Sequence, residues 1–206
     1  MSEEVKTIYL CLAHMSEEGY EQKYVKEAFD TNWVVPMGPN VYTFEQNLAD
    51  FSNANLDGSK LDRKVVCLSA GTAAVHLALI ACGVQLGDEV CVQSFTFCAS
   101  SHPITYLGAK PVFIDSEKET WNMDPELLEK AIIDRKEKTG KYPKAIIPVA
   151  LYGMPYDCER IMVIADKYGI PVIEDAAEGM GSRYNGQVLG TFGRFGVLSF
   201  NGNKMI

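Results

Sequence analysis

No apolar run in the 206-residue sequence reaches the roughly 20 residues needed to span a bilayer, so there is no candidate transmembrane helix. The amino terminus, Met1-Ser2-Glu3-Glu4, is acidic and lacks the basic-then-apolar profile of a secretory signal. Basic residues are in the minority: 19 Lys and Arg stand against 27 Asp and Glu, a formal net charge of −8. A chain of that sign argues against nucleic acid as a partner, because phosphate binding needs a basic face. The six cysteines, Cys11, Cys67, Cys82, Cys91, Cys98 and Cys158, form no CxxC pair. Three of them (Cys67, Cys82 and Cys91) sit inside apolar runs, so they read as reduced, buried thiols in a cytoplasmic protein, with neither a disulfide nor a metal site expected. Repeats, low-complexity tracts and Ser/Gly linkers are missing, as are the phosphate-loop signatures GxGxxG and GK[ST].

What remains is an ordinary globular composition, 47% hydrophobic and 22% charged, with an alternating pattern. Short β-branched runs bounded by Gly, Pro or Asp occur at Lys64–Leu68, Glu89–Gln93, Pro111–Ile114, Ala145–Val149, Pro171–Glu174 and Gly196–Phe200. Such runs suit strands buried on both faces of a mostly parallel sheet. Helical stretches lie between several of them. Thr72–Cys82 stops at Gly83, Asp124–Thr139 opens on Asp-Pro and ends near Gly140, and Asp157–Tyr168 is closed by Gly169 and Pro171. The expected fold is α/β, a mostly parallel central sheet with helices on both faces.

The first 60 residues read differently, as two amphipathic helices, Glu17–Thr31 and Val41–Ser52, joined by the stiff apolar loop Asn32–Pro39. That loop is either packed on the domain or waiting for a ligand or another subunit. The division expected is a helical arm over 1–30 and a larger domain over 31–206. Because the sequence stops on the turn after Gly196–Phe200, a fragment of a longer protein is expected, one that does not fold into a stable, active monomer alone.

Four stretches could carry chemistry. Leu68-Ser69-Ala70-Gly71-Thr72-Ala73-Ala74 runs a strand into a helix through small residues, and free N–H groups at a helix start beside a hydroxyl make an anion cradle. The plain alternative is a tight junction with Thr72 as cap. Val172–Glu178 (VIEDAAE) puts carboxylates directly after a buried strand, at the sheet edge where open α/β sheets bind ligands. Asp175 there could hold a proton on a heterocyclic nitrogen, or simply cap a helix. Lys204, in Ser199–Lys204 (SFNGNK), could be desolvated and form a Schiff base, although surface lysines are far commoner. Ser94-Phe95-Thr96-Phe97 offers aromatic faces to a planar ligand, or core filler.

Each signal is weak alone; their order is specific. A phosphate cradle, an aromatic, a carboxylate after a strand and a lysine 29 residues later suit pyridoxal 5'-phosphate. The sequence resembles the DegT/DnrJ/EryC1/StrS sugar aminotransferases of the fold-type I superfamily. The resemblance is carried by Gly38-Pro39, Val41, Phe44-Glu45, Ser69–Leu79, Gly87–Val90, Ser94–Phe97, Leu107–Phe113, Leu151-Tyr152-Gly153, Ile173–Glu178, Gly190–Gly193 and Ser199–Lys204. It implies a large pyridoxal-phosphate domain whose remainder, with a small C-terminal domain, lies beyond this sequence. It also implies a homodimer with shared active sites.

Residue by residue, the resemblance implies that Gly71 and Thr72, joined by Ser199, hold the cofactor phosphate. Phe97 stacks on one ring face and Ala177 packs on the other. Asp175 pairs with the ring nitrogen, Glu178 lies near the ring hydroxyl, and Lys204 binds the cofactor and moves protons. Related dehydratases carry histidine in place of that lysine, so Lys204 favours transamination. Ala150 departs from the family's usual histidine before Leu-Tyr-Gly. The expected activity is amination of a nucleotide-linked 4-keto-6-deoxy sugar with glutamate as donor, for surface glycans, and the SFNGNK and EDAAE strings are most similar to enzymes making UDP-linked 4-amino sugars. The alternatives are a cofactor-binding sensor without efficient turnover, or a sugar dehydratase.

Overall fold

The computed structural model describes residues 15–204. Two amino-terminal helices, α1 (Tyr20–Asp30) and α2 (Pro39–Asn53), precede an alternation of strands and helices. That alternation runs α3 (Gly71–Ala81), β1 (Glu89–Gln93), α4 (His102–Tyr106), β2 (Lys110–Ile114), α5 (Pro125–Thr139), β3 (Ala145–Ile147), α6 (Cys158–Tyr168) and β4 (Ile173–Asp175). A small hairpin, β5 (Arg183–Tyr184) with β6 (Gln187–Val188), and a last strand, β7 (Phe195–Val197), complete it. Among the described residues no helix is long and apolar enough to cross a membrane.

β2, β1 and β3 pair in parallel in that order, and β4 pairs in parallel with β7. Parallel bridges Ile146↔Val172 and Val149↔Asp175 join the two groups, so the strands run β2-β1-β3-β4-β7. Successive side chains on a strand point to opposite faces. Val90 and Val92 therefore join Ala145, Ile147, Ile173 and Val197 under α3 and α4, against Val75, Leu79 and Ile104. Cys91, Ile114, Ile146 and Val172 face the other way, against Leu128 and Ile132 of α5 and Ile161 and Ala165 of α6. Each fully buried Leu or Ile contributes about 1.5–3 kcal/mol relative to exposure. Two such layers on one sheet are the expected α/β architecture, helices on both faces.

The helices of the second layer are closed by their own side chains. Asp124 accepts hydrogen bonds from the N–H groups of Glu126 and Leu127 at the start of α5, and Gly140 ends it at φ 74°. Asp157 accepts from the Arg160 N–H at the start of α6, and Gly169 ends it at φ 64°.

Several expectations need correction. Lys64–Leu68 is not a strand: it has no regular secondary structure and no ladder partner among the described residues. Side chains hold it instead. Asn53 exchanges two hydrogen bonds with the Arg63 backbone, and the Cys67 N–H donates to Glu45 at 2.7 Å. A β-branched run favours a pleated surface, but a strand exists only when paired. For the same reason Cys67 is exposed rather than buried, whereas Cys82, Cys91 and Cys158 are buried. Cys11 lies outside the described residues, as does the 1–14 part of the expected helical arm. The Asn32–Pro39 loop is not packed away; Trp33, Val34, Val35 and Met37 are all exposed. Strand ends also moved, β3 stopping at Ile147 and the last strand beginning at Phe195 and ending at Val197.

Candidate active site

The strand carboxyl ends and the amino end of α3 meet around a cleft of about 1220 Å³. Gly71, Thr72, Phe97, Asp175, Ala177, Glu178, Ser199 and Lys204 all line it. Residues far apart in sequence arrive there because each follows a parallel strand or starts the helix packed above the sheet.

α3 supplies the anion end. Its N-cap residue, Ala70, is extended (φ −163°, ψ 158°) and makes no side-chain cap. Thr72 is therefore a first-turn residue rather than the cap. The first-turn N–H groups of such a helix carry partial positive charge and favour an anion. Gly71 keeps the approach open: a Cβ there would meet Ser199 Cβ and Oγ at 3.7 and 3.8 Å. Bare glycine, a hydroxyl on Thr72 and another on Ser199 are a donor set that fits a phosphate group.

β4 supplies the carboxylate. The Asp175 backbone is pinned on both sides, its N–H donating to Pro148 O and its C=O accepting from the Ala150 N–H, both at 3.0 Å. Its side chain is buried, and burial pushes the carboxyl above its ordinary range. Three features oppose that rise: the Ser100 hydroxyl donating to Oδ2 at 2.6 Å, the Ala177 N–H donating to Oδ1 at 3.2 Å, and the positive charge of Lys204. A buried carboxylate beside a lysine fits a protonated heterocyclic nitrogen.

Lys204 lies opposite. Its Nζ is 3.0 Å from Glu178 Oε1, and the two side chains are only 14% and 28% exposed. Glu178 also accepts the Tyr152 N–H at 2.8 Å, from a turn in which Tyr152 has φ 52°. Ala150, at the position where histidine is usual, is buried just before that turn. Phe97 is 73% exposed and presents its ring to the cleft, while Ala177 is half-buried. These surroundings suit a flat, anionic, aldehyde-bearing ring.

The family model for the DegT/DnrJ/EryC1/StrS aminotransferase family matches residues 15–206. The chain belongs to that family. It is 50% identical over 201 residues to the Bacillus subtilis (strain 168) protein EpsN, assigned as a pyridoxal phosphate-dependent aminotransferase, covering 98% of this chain and 49% of that protein. It is 39% identical over 198 residues to GDP-perosamine synthase of Escherichia coli O157:H7, covering 96% and 50%. A solved structure of Spr1654 from Streptococcus pneumoniae, assigned as a sugar aminotransferase and in its PLP form, superposes with a TM-score of 0.78 at 30% identity, covering 97% and 50%. The chain thus spans about half the length of these relatives.

Some residues in the site escaped the sequence reading. Ser100, and Thr96 within the Ser94–Phe97 stretch but without a role there, stand behind Asp175, linked by a 2.8 Å hydroxyl–hydroxyl bond. Glu174 was within the EDAAE string but without a role. Fully buried, it accepts N–H groups from Gly190, Phe192 and Gly193 at 2.9, 2.5 and 2.6 Å, fastening the turn before β7 to β4. No periodicity or spacing marks such pairings, which join residues up to 75 positions apart.

Proposed function

We propose that the protein is a pyridoxal-phosphate-dependent aminotransferase acting on a nucleotide-linked keto sugar, with glutamate as amino donor. The observation that carries this reading is the single cleft holding an uncapped helix start, a buried carboxylate and a lysine paired with a glutamate. Residues 31–206 form the cofactor-binding part of its large domain, and a homodimer completes the active sites.

In this reading the N–H groups at the start of α3, with the hydroxyls of Thr72 and Ser199, bind the phosphate. Phe97 and Ala177, both lining the cleft, would pack against the ring and exclude water from it. Asp175 retains a proton on the ring nitrogen through a charge-assisted hydrogen bond. When bound, the cofactor supplies an electron sink for the bond broken at the substrate carbon. Lys204 would hold the cofactor through its Nζ and, as a free amine, would carry a proton beside that carbon. Glu178 orients the ammonium of Lys204 from one side while its other oxygen is held by the Tyr152 N–H.

Relatives named for GDP-perosamine synthesis support a nucleotide-linked sugar. A carbonyl at carbon 4 of a 6-deoxy sugar, and a role in surface glycans, rest on the SFNGNK and EDAAE strings. The test is spectroscopic: the full chain, loaded with pyridoxal phosphate, is mixed with glutamate and its absorbance followed. Conversion of the cofactor to its amine form, reversed by a nucleotide-linked keto sugar, is expected. A sensor or dehydratase would leave the amine form unaccumulated, and that outcome would overturn the proposal.

A further inference from the structure

Asp175 does not stand alone in its pocket. Ser100 Oγ donates to its Oδ2 at 2.6 Å, and Ser100 itself is completely buried. A serine hydroxyl has one proton. With that proton directed at Asp175, the 2.8 Å contact between Ser100 and Thr96 must run the other way, Thr96 Oγ1 donating to Ser100 Oγ. The two hydroxyls form a chain, Thr96 to Ser100 to Asp175, in which every donor points toward the carboxylate. Hydrogen bonds in such a chain polarise one another and favour the ionised acceptor.

The backbone explains why these hydroxyls are in place. Ser100 closes a 3-10 turn, Cys98–Ser100, immediately after Phe97, and its N–H donates to the Phe97 carbonyl at 3.2 Å. One turn therefore presents the Phe97 ring to the cleft and grips the Asp175 carboxylate from behind. The charged groups acting on Asp175 from its surroundings are Lys204, which favours its ionised form, and Glu178, which opposes it. Glu174, its neighbour on β4, is tied up by the 190–193 turn.

We infer that Ser100, held by Thr96, is a positioning residue that keeps Asp175 ionised and oriented for the ring nitrogen. This inference rests on the functional reading above and adds two residues to it. With the hydroxyl removed, Asp175 loses a donor in a buried site and takes up a proton more readily, so the ring nitrogen loses its charged partner.

The test uses the full chain and begins with wild type loaded with 15N-labelled pyridoxal phosphate. A borohydride-reducible lysine linkage is expected. Its absence would overturn the functional reading, and this inference with it. The cofactor-free protein is next labelled with 13C at aspartate carboxyls, the Asp175 signal being assigned by its loss in Asp175→Asn. Ser100→Ala should move the Asp175 titration upward, Thr96→Val should move it the same way by less, and Ser100→Thr should bring it back. In the loaded Ser100→Ala protein the ring-nitrogen 15N signal should shift toward the unprotonated form. Its glutamate half-reaction should slow about tenfold or more at unchanged KM, the loss expected from one charge-assisted hydrogen bond. If Ser100→Ala and Thr96→Val lower stability but leave the Asp175 titration and the 15N signal unmoved, Ser100 is packing alone and the inference is wrong.

Discussion

The two sides of the sheet are built to different standards. On the α5 and α6 side the helix starts are capped by Asp124 and Asp157. On the cleft side α3 starts uncapped, the 64–68 segment has no ladder partner among the described residues, and Phe97 and Tyr152 expose aromatic rings. The helix-start N–H groups are capped where the structure only has to be stable. They are left open where a ligand could take them. The incomplete side is the one that carries the candidate site, and the uncapped helix start is a better guide to it than any single side chain.

The largest effect should come from Lys204. Lys204→Ala removes the group proposed both to anchor the cofactor and to move the proton, so transamination should fall by at least about 10³-fold. Borohydride reduction should then trap no lysine adduct, although phosphate and ring contacts could still hold the cofactor. A reducible adduct in this variant would move the site elsewhere in the chain.

Asp175→Asn comes next and should separate function from stability. Transamination should drop roughly 10- to 100-fold, the size expected for a lost charged partner in a buried hydrogen bond. The cofactor-free variant should at the same time resist urea better than wild type at neutral pH. Burial raises the Asp175 carboxyl in the folded protein, so its stabilising contribution is fully present below the unfolded value and lost as pH rises through the folded one. The advantage of the asparagine variant should therefore vanish on acidification. Wild-type turnover in this variant would remove Asp175 from the ring-nitrogen role.

Gly196→Ala probes the join between β7 and the turn that Glu174 fastens. A Cβ at that position would lie 1.9 Å from the Gly190 carbonyl oxygen, so backbone must move. Destabilisation of about 1–3 kcal/mol is expected, read as a lower urea midpoint. An unchanged midpoint would mean that the close approach of β7 to residue 190 is not required.

The smallest effects should come from the caps, and they address the contrast between the two sides directly. Asp124→Ala should cost about 1 kcal/mol of stability and leave cofactor affinity unchanged. Ala70→Asp should do the reverse. A carboxylate at the start of α3 closes that helix from within, adding up to about 1 kcal/mol, while repelling a phosphate and weakening cofactor binding. Chemical denaturation and cofactor titration on both variants would test the pair; tighter binding in Ala70→Asp would show that the anion end lies elsewhere.

Much of this was legible in the residues. EVCVQ and PVFI both read as strands buried on two faces; both formed strands, but only EVCVQ is buried, whereas PVFI lies at the edge of the described sheet with Phe113 exposed, because no neighbour covers it there. Asp124, Asp157, Gly140 and Gly169 mark helix ends by local chemistry that needs nothing distant. KVVCL looked the same and is no strand, since pairing depends on a neighbour that local sequence cannot specify. The eight candidate site residues were chosen by their order along the chain and by family likeness; the cleft that gathers them is a property of the parallel sheet.

The sequence by itself determined the periodicities, the helix caps, the buried strand runs and the chemical types on offer: carboxylate, lysine, hydroxyl, aromatic. Those depend on neighbours within a few residues. Only the tertiary structure decided which hydroxyl serves Asp175, which turn Glu174 fastens and which carboxylate faces Lys204. Contacts across 75, 19 and 26 residues arise from the register of parallel strands and the close packing of the helices laid over them. No local pattern encodes them, because a hydrogen bond needs an approach of about 3 Å and chain connectivity alone does not bring distant residues that close.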